Sequence, residues 1–161
     1  DESVAGGTGA EYGNWWHEMM ETAPWESGIE SWREYARNAL SKCPDVDRGR
    51  RELDLFTVSA CAAMLFEDGA SIHTEAPVLW RADESLAYEG LIDLVGSNRS
   101  NGKWFVVDWK TDRLSGDTCQ LLRDRYGPQI RVYGEAVSSI CETETEAWIY
   151  STVSGELISV T

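Results

Sequence analysis

Residues 89–112 read EGLIDLVGSNRSNGKWFVVDWKTD, and the organisation of the chain can be worked outward from them. Leu91-Ile-Asp-Leu-Val95 and Trp104-Phe-Val-Val-Asp-Trp109 are apolar runs interrupted by an acid, and both read as buried strands. Between them, Gly96-Ser-Asn-Arg-Ser-Asn-Gly102 is a hairpin signal. An isolated carboxylate in a buried strand is costly, so Asp93 and Asp108 each need a partner. Asp108 and Lys110 stand two positions apart, which on a strand puts them on one face, about 6–7 Å apart along the chain. Two acids and a lysine arriving from adjacent strands suit a divalent cation with an ammonium beside it. Such a set is equipped for phosphodiester cleavage.

Composition sets the outer limits. A chain of 161 residues with 42% hydrophobic content is long enough for one globular domain with a real core. There is no apolar run of about 18 residues, so no membrane span is expected, and no signal-peptide pattern opens the chain. The sequence starts at Asp1 without a methionine, as an excised or processed fragment would. Residues 1–12, DESVAGGTGAEY, are Gly-rich and polar and read as the end of a flexible linker, leaving 13–161 as a single domain. Cys43, Cys61, Cys119 and Cys141 lie far apart with no CxxC pair, so disulfides, zinc and an iron–sulfur cluster are not expected and a reducing cytosol fits. Fourteen Lys+Arg against 28 Asp+Glu give a net charge of −14, which speaks against tight autonomous DNA binding.

Along the chain, helical spacing predicts a short helix over Tyr12–Thr22 and a second over Gly28–Lys42. A third is expected from a cap at Asp47 to about Glu67, with Gly69 as its stop. Strands follow at Ser71–Arg81, Leu86–Val95 and Lys103–Lys110, then a helix over Cys119–Cys141 that Gly127-Pro128 would break or restart. Two last strands, Glu146–Thr152 and Glu156–Val160, flank a turn at Ser154-Gly155. This order describes an α/β domain with a mixed central sheet flanked by helices.

Four ordered motifs now resemble the RecB-type branch of the PD-(D/E)xK nucleases, and most closely the C-terminal nuclease domain of AddA and RecB helicase–nuclease subunits. Gly13-Asn-Trp-Trp-His17 fits G-x-x-x-H, and Gly90-Leu-Ile-Asp93 fits G-x-x-D. Asp108-Trp-Lys-Thr-Asp112 fits D-x-K-T-D, and Gln129-Ile-Arg-Val-Tyr133 fits Q-x-x-x-Y. Each is weak alone; their order and separations over nearly the whole chain are what carry weight. The resemblance implies a restriction-endonuclease-like core and a Mg²⁺-dependent deoxyribonuclease, with Mn²⁺ able to substitute. It further implies an exonuclease domain tethered to a helicase in the same polypeptide, a second helicase–nuclease subunit, single-stranded DNA as substrate, double-strand-break processing and a bacterial cytoplasm. The cysteines that frame an iron–sulfur cluster in AddB-like relatives are missing.

On that reading His17, Asp93, Asp108 and the Trp109 carbonyl hold the ion, and Asp93, Asp108 and Lys110 are catalytic. Gln129 and Tyr133 lie beside the DNA, with Arg113, Arg123, Arg125 and Arg131 as phosphate contacts; Glu75, Gly13 and Gly90 support the site. Each also has a bland reading: His17 and Tyr133 as core residues, Asp93 as a turn cap, Asp108 and Lys110 as a structural ion pair. Two other functions stand beside the main one. They are a stand-alone RecB-family exonuclease, and a nuclease fold kept as a non-catalytic scaffold or DNA-binding module.

Overall fold

The computed structural model describes residues 9–160. In chain order its elements are α1 (Gly9–Glu21), a 3-10 turn (Trp25–Ser27), α2 (Ile29–Ala39), a second 3-10 turn (Leu40–Lys42), α3 (Val46–Thr57) and α4 (Ala60–Leu65). There follow β1 (Ala70–Arg81), β2 (Ala87–Asn98), β3 (Lys103–Lys110), α5 (Thr118–Cys141), β4 (Thr145–Ser151) and β5 (Glu156–Ser159). Most of the linker expected over residues 1–12 lies outside the described residues, and Gly9–Tyr12 already form the first turn of α1.

One five-stranded sheet runs in the order β1-β2-β3-β4-β5. Neighbours are antiparallel except β3 and β4, which are parallel and therefore need a crossover, supplied by α5. Strand alternation divides the side chains between two layers. Phe105, Val107 and Trp109 of β3 face an aromatic core with Trp16, Trp32 and Phe56 from α1, α2 and α3. Val106, together with Ala147, Ile149 and Ile158, packs under Leu122, Ile130 and Val137 of α5 on the other face. The result is a mixed sheet with helices on both sides, the α/β architecture expected.

Several boundaries differ for identifiable reasons. Asp45 caps α3 through Arg48 N at 3.1 Å, not Asp47. The single helix expected to reach Glu67 breaks at Val58, because Ser59 caps a new one by accepting from Ala62 N at 3.1 Å. β2 continues to Asn98, taking in Gly96, where a Cβ would lie 2.2 Å from the Phe105 ring. α5 runs unbroken through Pro128. Part of the usual clash is between the proline ring and the preceding residue's Cβ, and Gly127 has none.

Behind β3 lies a buried ion pair. Arg48 Nε and Glu52 Oε2 are 3.1 Å apart on successive turns of α3, 6% and 3% exposed. Glu52 also accepts from Tyr12 Oη and from Thr152 Oγ1 (3.2 Å), while Arg48 Nη2 donates to the Thr111 carbonyl at 2.6 Å and its guanidinium lies 3.8 Å from the Tyr12 ring centroid. Thr152 N donates to the Lys110 carbonyl at 3.0 Å. The carbonyls of Lys110 and Thr111 are thereby tied to α1 and α3. Removing one ion strands the other, so Arg48→Met is expected to cost about 3–5 kcal/mol in urea denaturation. The double variant Arg48→Met/Glu52→Met should cost markedly less than the two single changes summed. Additive losses would show that the ions are not coupled.

Candidate active site

β2 and β3 pair from Asn98↔Lys103 as far as Leu94↔Val107 and then part. β2 continues on β1 alone, and β3 on β4 alone, so the fork opens at Asp93 and Asp108. Beyond it the Trp109 amide donates to Asp93 Oδ2 at 2.8 Å, a side-chain acceptor in place of a ladder carbonyl. His17 reaches the same oxygen from α1, with Nε2 at 3.2 Å. Its Nδ1 lies 2.8 Å from the Gly13 carbonyl. A carbonyl only accepts, so Nδ1 carries the hydrogen, and Nε2 offers the lone pair when the ring is neutral.

Lys110 Nζ stands 2.8 Å from Asp108 Oδ2. The contact is ionic and off hydrogen-bond geometry, which leaves Asp108 Oδ2 a buried acceptor without a hydrogen-bond donor. Burial and the negative charge of Asp93 push the Asp108 carboxyl up to about 6, against the opposing pull of Lys110. Burial works against the Lys110 ammonium, yet Asp108 more than offsets it and the pKa stays above the usual lysine value. Burial also opposes a charged His17, but Asp93 and the Gly13 carbonyl prevail and its pKa is pushed up to about 9.

The support residues have concrete contacts. A Cβ on Gly13 would lie 3.1 Å from Thr111 Oγ1, so this glycine lets α1 approach the end of β3. A Cβ on Gly90 would meet Tyr133 Oη at 2.6 Å, so Gly90 makes room for Tyr133, whose hydroxyl accepts from Gln129 Nε2 at 3.1 Å. Tyr133 is pushed up by burial and by the charges of Asp108 and Asp93. Glu75 sits across from Asp93, between the pairs Thr74↔Leu94 and Ala76↔Ile92, with φ at +49°. A non-glycine residue held in the left-handed region is strained, and such strain gathers at functional positions. Burial, Asp93 and Glu21 raise the Glu75 carboxyl.

The arginines are dispersed. Arg113 pairs with Asp45 at 3.6 Å and Arg125 with Asp112 at 3.4 Å. Arg131 and Arg123 donate to the carbonyls of Val160 and Ser159 at the end of the sheet. Arg131 is two residues from Gln129, about 200° around the helix, so it faces away from the carboxylates. Two features escape the sequence. Arg48–Glu52 reads there as one more surface pair at i,i+4. Tyr126, whose ring centroid is 4.0 Å from Lys110 Nζ, stands three residues before Gln129, and that spacing was the available signal.

Among the described residues no three His, Cys, Asp or Glu side chains form a ready-made metal cage. The residues nevertheless fit a divalent cation. Carboxylate oxygens dominate, one imidazole nitrogen has its tautomer set by a backbone acceptor, and the buried Asp108 Oδ2 has only the Lys110 ammonium beside it.

With this geometry in view, the sequence profile of the PD-(D/E)XK nuclease superfamily matches residues 3–156. The chain belongs to that superfamily. It is also similar to an ATP-dependent helicase/nuclease subunit from Carboxydothermus hydrogenoformans, 37% identical over 57 residues, and to the corresponding subunit from Anoxybacillus flavithermus, 35% identical over 71 residues. These matches cover 35% and 42% of this chain but only 5% and 6% of the relatives. No described helix is long and apolar enough to cross a membrane.

The metal-free site carries a pH signature. His17 should titrate near pH 9 by NMR, against 6.5 for a free imidazole, and Asp93→Asn should bring it back towards that value. Because the folded pKa is raised, the stability from this contact is complete below pH 6.5 and is lost as pH rises through about 9. A His17 titrating at or below 6.5 would contradict the contact.

Proposed function

We propose that this chain is a Mg²⁺-dependent deoxyribonuclease, the exonuclease domain of an ATP-dependent helicase–nuclease that processes double-strand breaks for recombinational repair in the bacterial cytoplasm. The observation that carries the reading is the fork itself, where His17, Asp93, Asp108 and Lys110 meet although they come from three separate elements. The names of the two relatives, both helicase/nuclease subunits, support the tethered form.

Asp93, Asp108, His17 Nε2 and the Trp109 carbonyl would hold the ion, and Mn²⁺ would be accepted in the same oxygen-rich set. A bound divalent cation supplies positive charge to the scissile phosphate and acidifies water near it. The chain's own groups do the rest. Asp93 keeps β2 and β3 together through its bond to the Trp109 amide. Lys110 orients the attacking water and stabilises negative charge as it develops on the phosphoryl oxygens, an effect worth a few kcal/mol when well placed. Gln129 and Tyr133 flank the approach of the strand. Arg113 and Arg125 lie on exposed pairs that phosphate can displace, whereas Arg131 is engaged with the Val160 carbonyl.

Lys110→Ala should abolish Mg²⁺-dependent cleavage of single-stranded DNA while the fold persists, since Asp108 can take up a proton once the ammonium is gone; Asp108→Ala is the matching control. Undiminished cleavage by the Lys110 variant would remove it from the mechanism. Cleavage absent from the unaltered protein at any Mg²⁺ or Mn²⁺ concentration would favour a non-catalytic scaffold.

The net charge of −14 makes a second demand. Repulsion of DNA acts over about 8 Å at physiological salt, so the domain alone should bind weakly and cut slowly. Joined to a translocating helicase, it sees a high local concentration of strand and needs little affinity of its own. Turnover per site should therefore rise strongly in a helicase-linked form at equal DNA concentration. Equal turnover, or nanomolar DNA affinity of the fragment, would show an autonomous enzyme.

A further inference from the structure

The Lys110 ammonium lies between two attractions of different kinds. On one side is Asp108 Oδ2 at 2.8 Å; on the other is the face of Tyr126, with its ring centroid 4.0 Å away. Tyr126 is itself held at both ends, by α5 and by its hydroxyl, which donates to Asp112 Oδ2 at 2.7 Å. Asp112 in turn meets Arg125 Nη1 at 3.4 Å. The ring is thus a fixed surface, only partly buried, on the helix that carries Gln129 and Tyr133.

We propose that Tyr126 is a positioning residue for Lys110, its ring face being the seat that keeps the ammonium in place when the Asp108 carboxylate is engaged by a cation. This inference rests on the metal-dependent reading above. A carboxylate shared with a divalent cation has less charge to offer a lysine, and a free lysine side chain has several rotatable bonds to lose it through. The ring escapes that competition. Its quadrupole attracts an ammonium, whereas hard divalent ions take oxygen ligands and leave an aromatic face alone. Asp112, the last residue of the D-x-K-T-D stretch, then has a defined role, because it holds the ring through its hydroxyl.

The test compares Tyr126→Phe, which keeps the ring, with Tyr126→Leu, which removes it; Tyr126→Met replaces the latter should it fail to fold. In the metal-free protein, the Lys110 side-chain methylene protons should show an upfield ring-current shift by NMR, assigned by its loss in Lys110→Ala. The shift should persist in Tyr126→Phe and vanish in Tyr126→Leu. With Mg²⁺ and a single-stranded oligonucleotide, Tyr126→Leu should lower kcat about tenfold, the scale of one partly desolvated cation–π contact. KM and Mg²⁺ affinity should stay unchanged, and Tyr126→Phe should recover most of the loss. The proposal is overturned if Tyr126→Leu keeps the Lys110 shift or the full kcat. A loss confined to KM also overturns it, because Tyr126 would then be a DNA contact. So does a Tyr126→Phe variant as slow as Tyr126→Leu, which would make the hydroxyl the active part. If the unaltered protein cleaves nothing, the nuclease reading fails, while the chemical shifts still decide whether the ring seats Lys110.

Discussion

One carboxylate oxygen, Asp93 Oδ2, holds the working end of this domain together. It accepts the Trp109 amide where the β2–β3 ladder stops, and it meets His17 Nε2 from α1. A strand that leaves its neighbour exposes backbone donors, and a buried donor without an acceptor is costly. Asp93 supplies the acceptor from a side chain, so the strands can separate without that penalty. The gap between them lets Asp108 and Lys110 meet at the fork, Asp108 buried and Lys110 half-buried, while Val106, on the same strand face, stays buried under α5.

The two hydrophobic layers give the fork a firm frame. Trp109 is 1% exposed and packs against Trp16, Trp25 and Phe56, so the backbone between Asp108 and Lys110 is anchored by a fully buried tryptophan. Behind it, the Arg48–Glu52 pair grips Thr111 directly and Lys110 through Thr152. A buried ion pair contributes little net stability compared with apolar packing, and what this one offers is direction. It connects His17's helix, the lysine's strand and the β4–β5 turn through groups that have no slack.

Much of this is legible in the residues, and the failures have physical causes. β3 is read with its observed ends because an apolar run bounded by Gly102 and the D-x-K-T-D stretch admits one interpretation. Asp93 and Asp108 draw notice because acids inside apolar runs require partners, Lys110 because it shares a strand face with Asp108, and His17 only through the G-x-x-x-H resemblance. The site's second layer is hidden. Arg48 and Glu52 carry the spacing of an ordinary solvent-facing pair, and only packing against Tyr12 and Thr152 shows them to be buried. Arg123 and Arg131 turn to the carbonyls at the end of the sheet, because closeness in sequence to the motif helix says nothing of which side of that helix a residue occupies. Gly127-Pro128 reads as a break because the rule assumes a Cβ before the proline.

The contacts that complete the site span very different lengths of chain. β2 and β3 are joined by a short turn and pair on local information. His17 meets Asp93 across 76 positions, and Thr152 meets Glu52 across 100. Closing long loops is entropically expensive, and contacts of high sequence separation are slow to form. The hairpin with both acids can therefore pair on local information, while the histidine and the braces behind the lysine require the whole chain to close. The parts of the site are present in sequence from the start, but their register depends on closure of the whole chain, so a partly folded chain would carry the carboxylates without the geometry to use them.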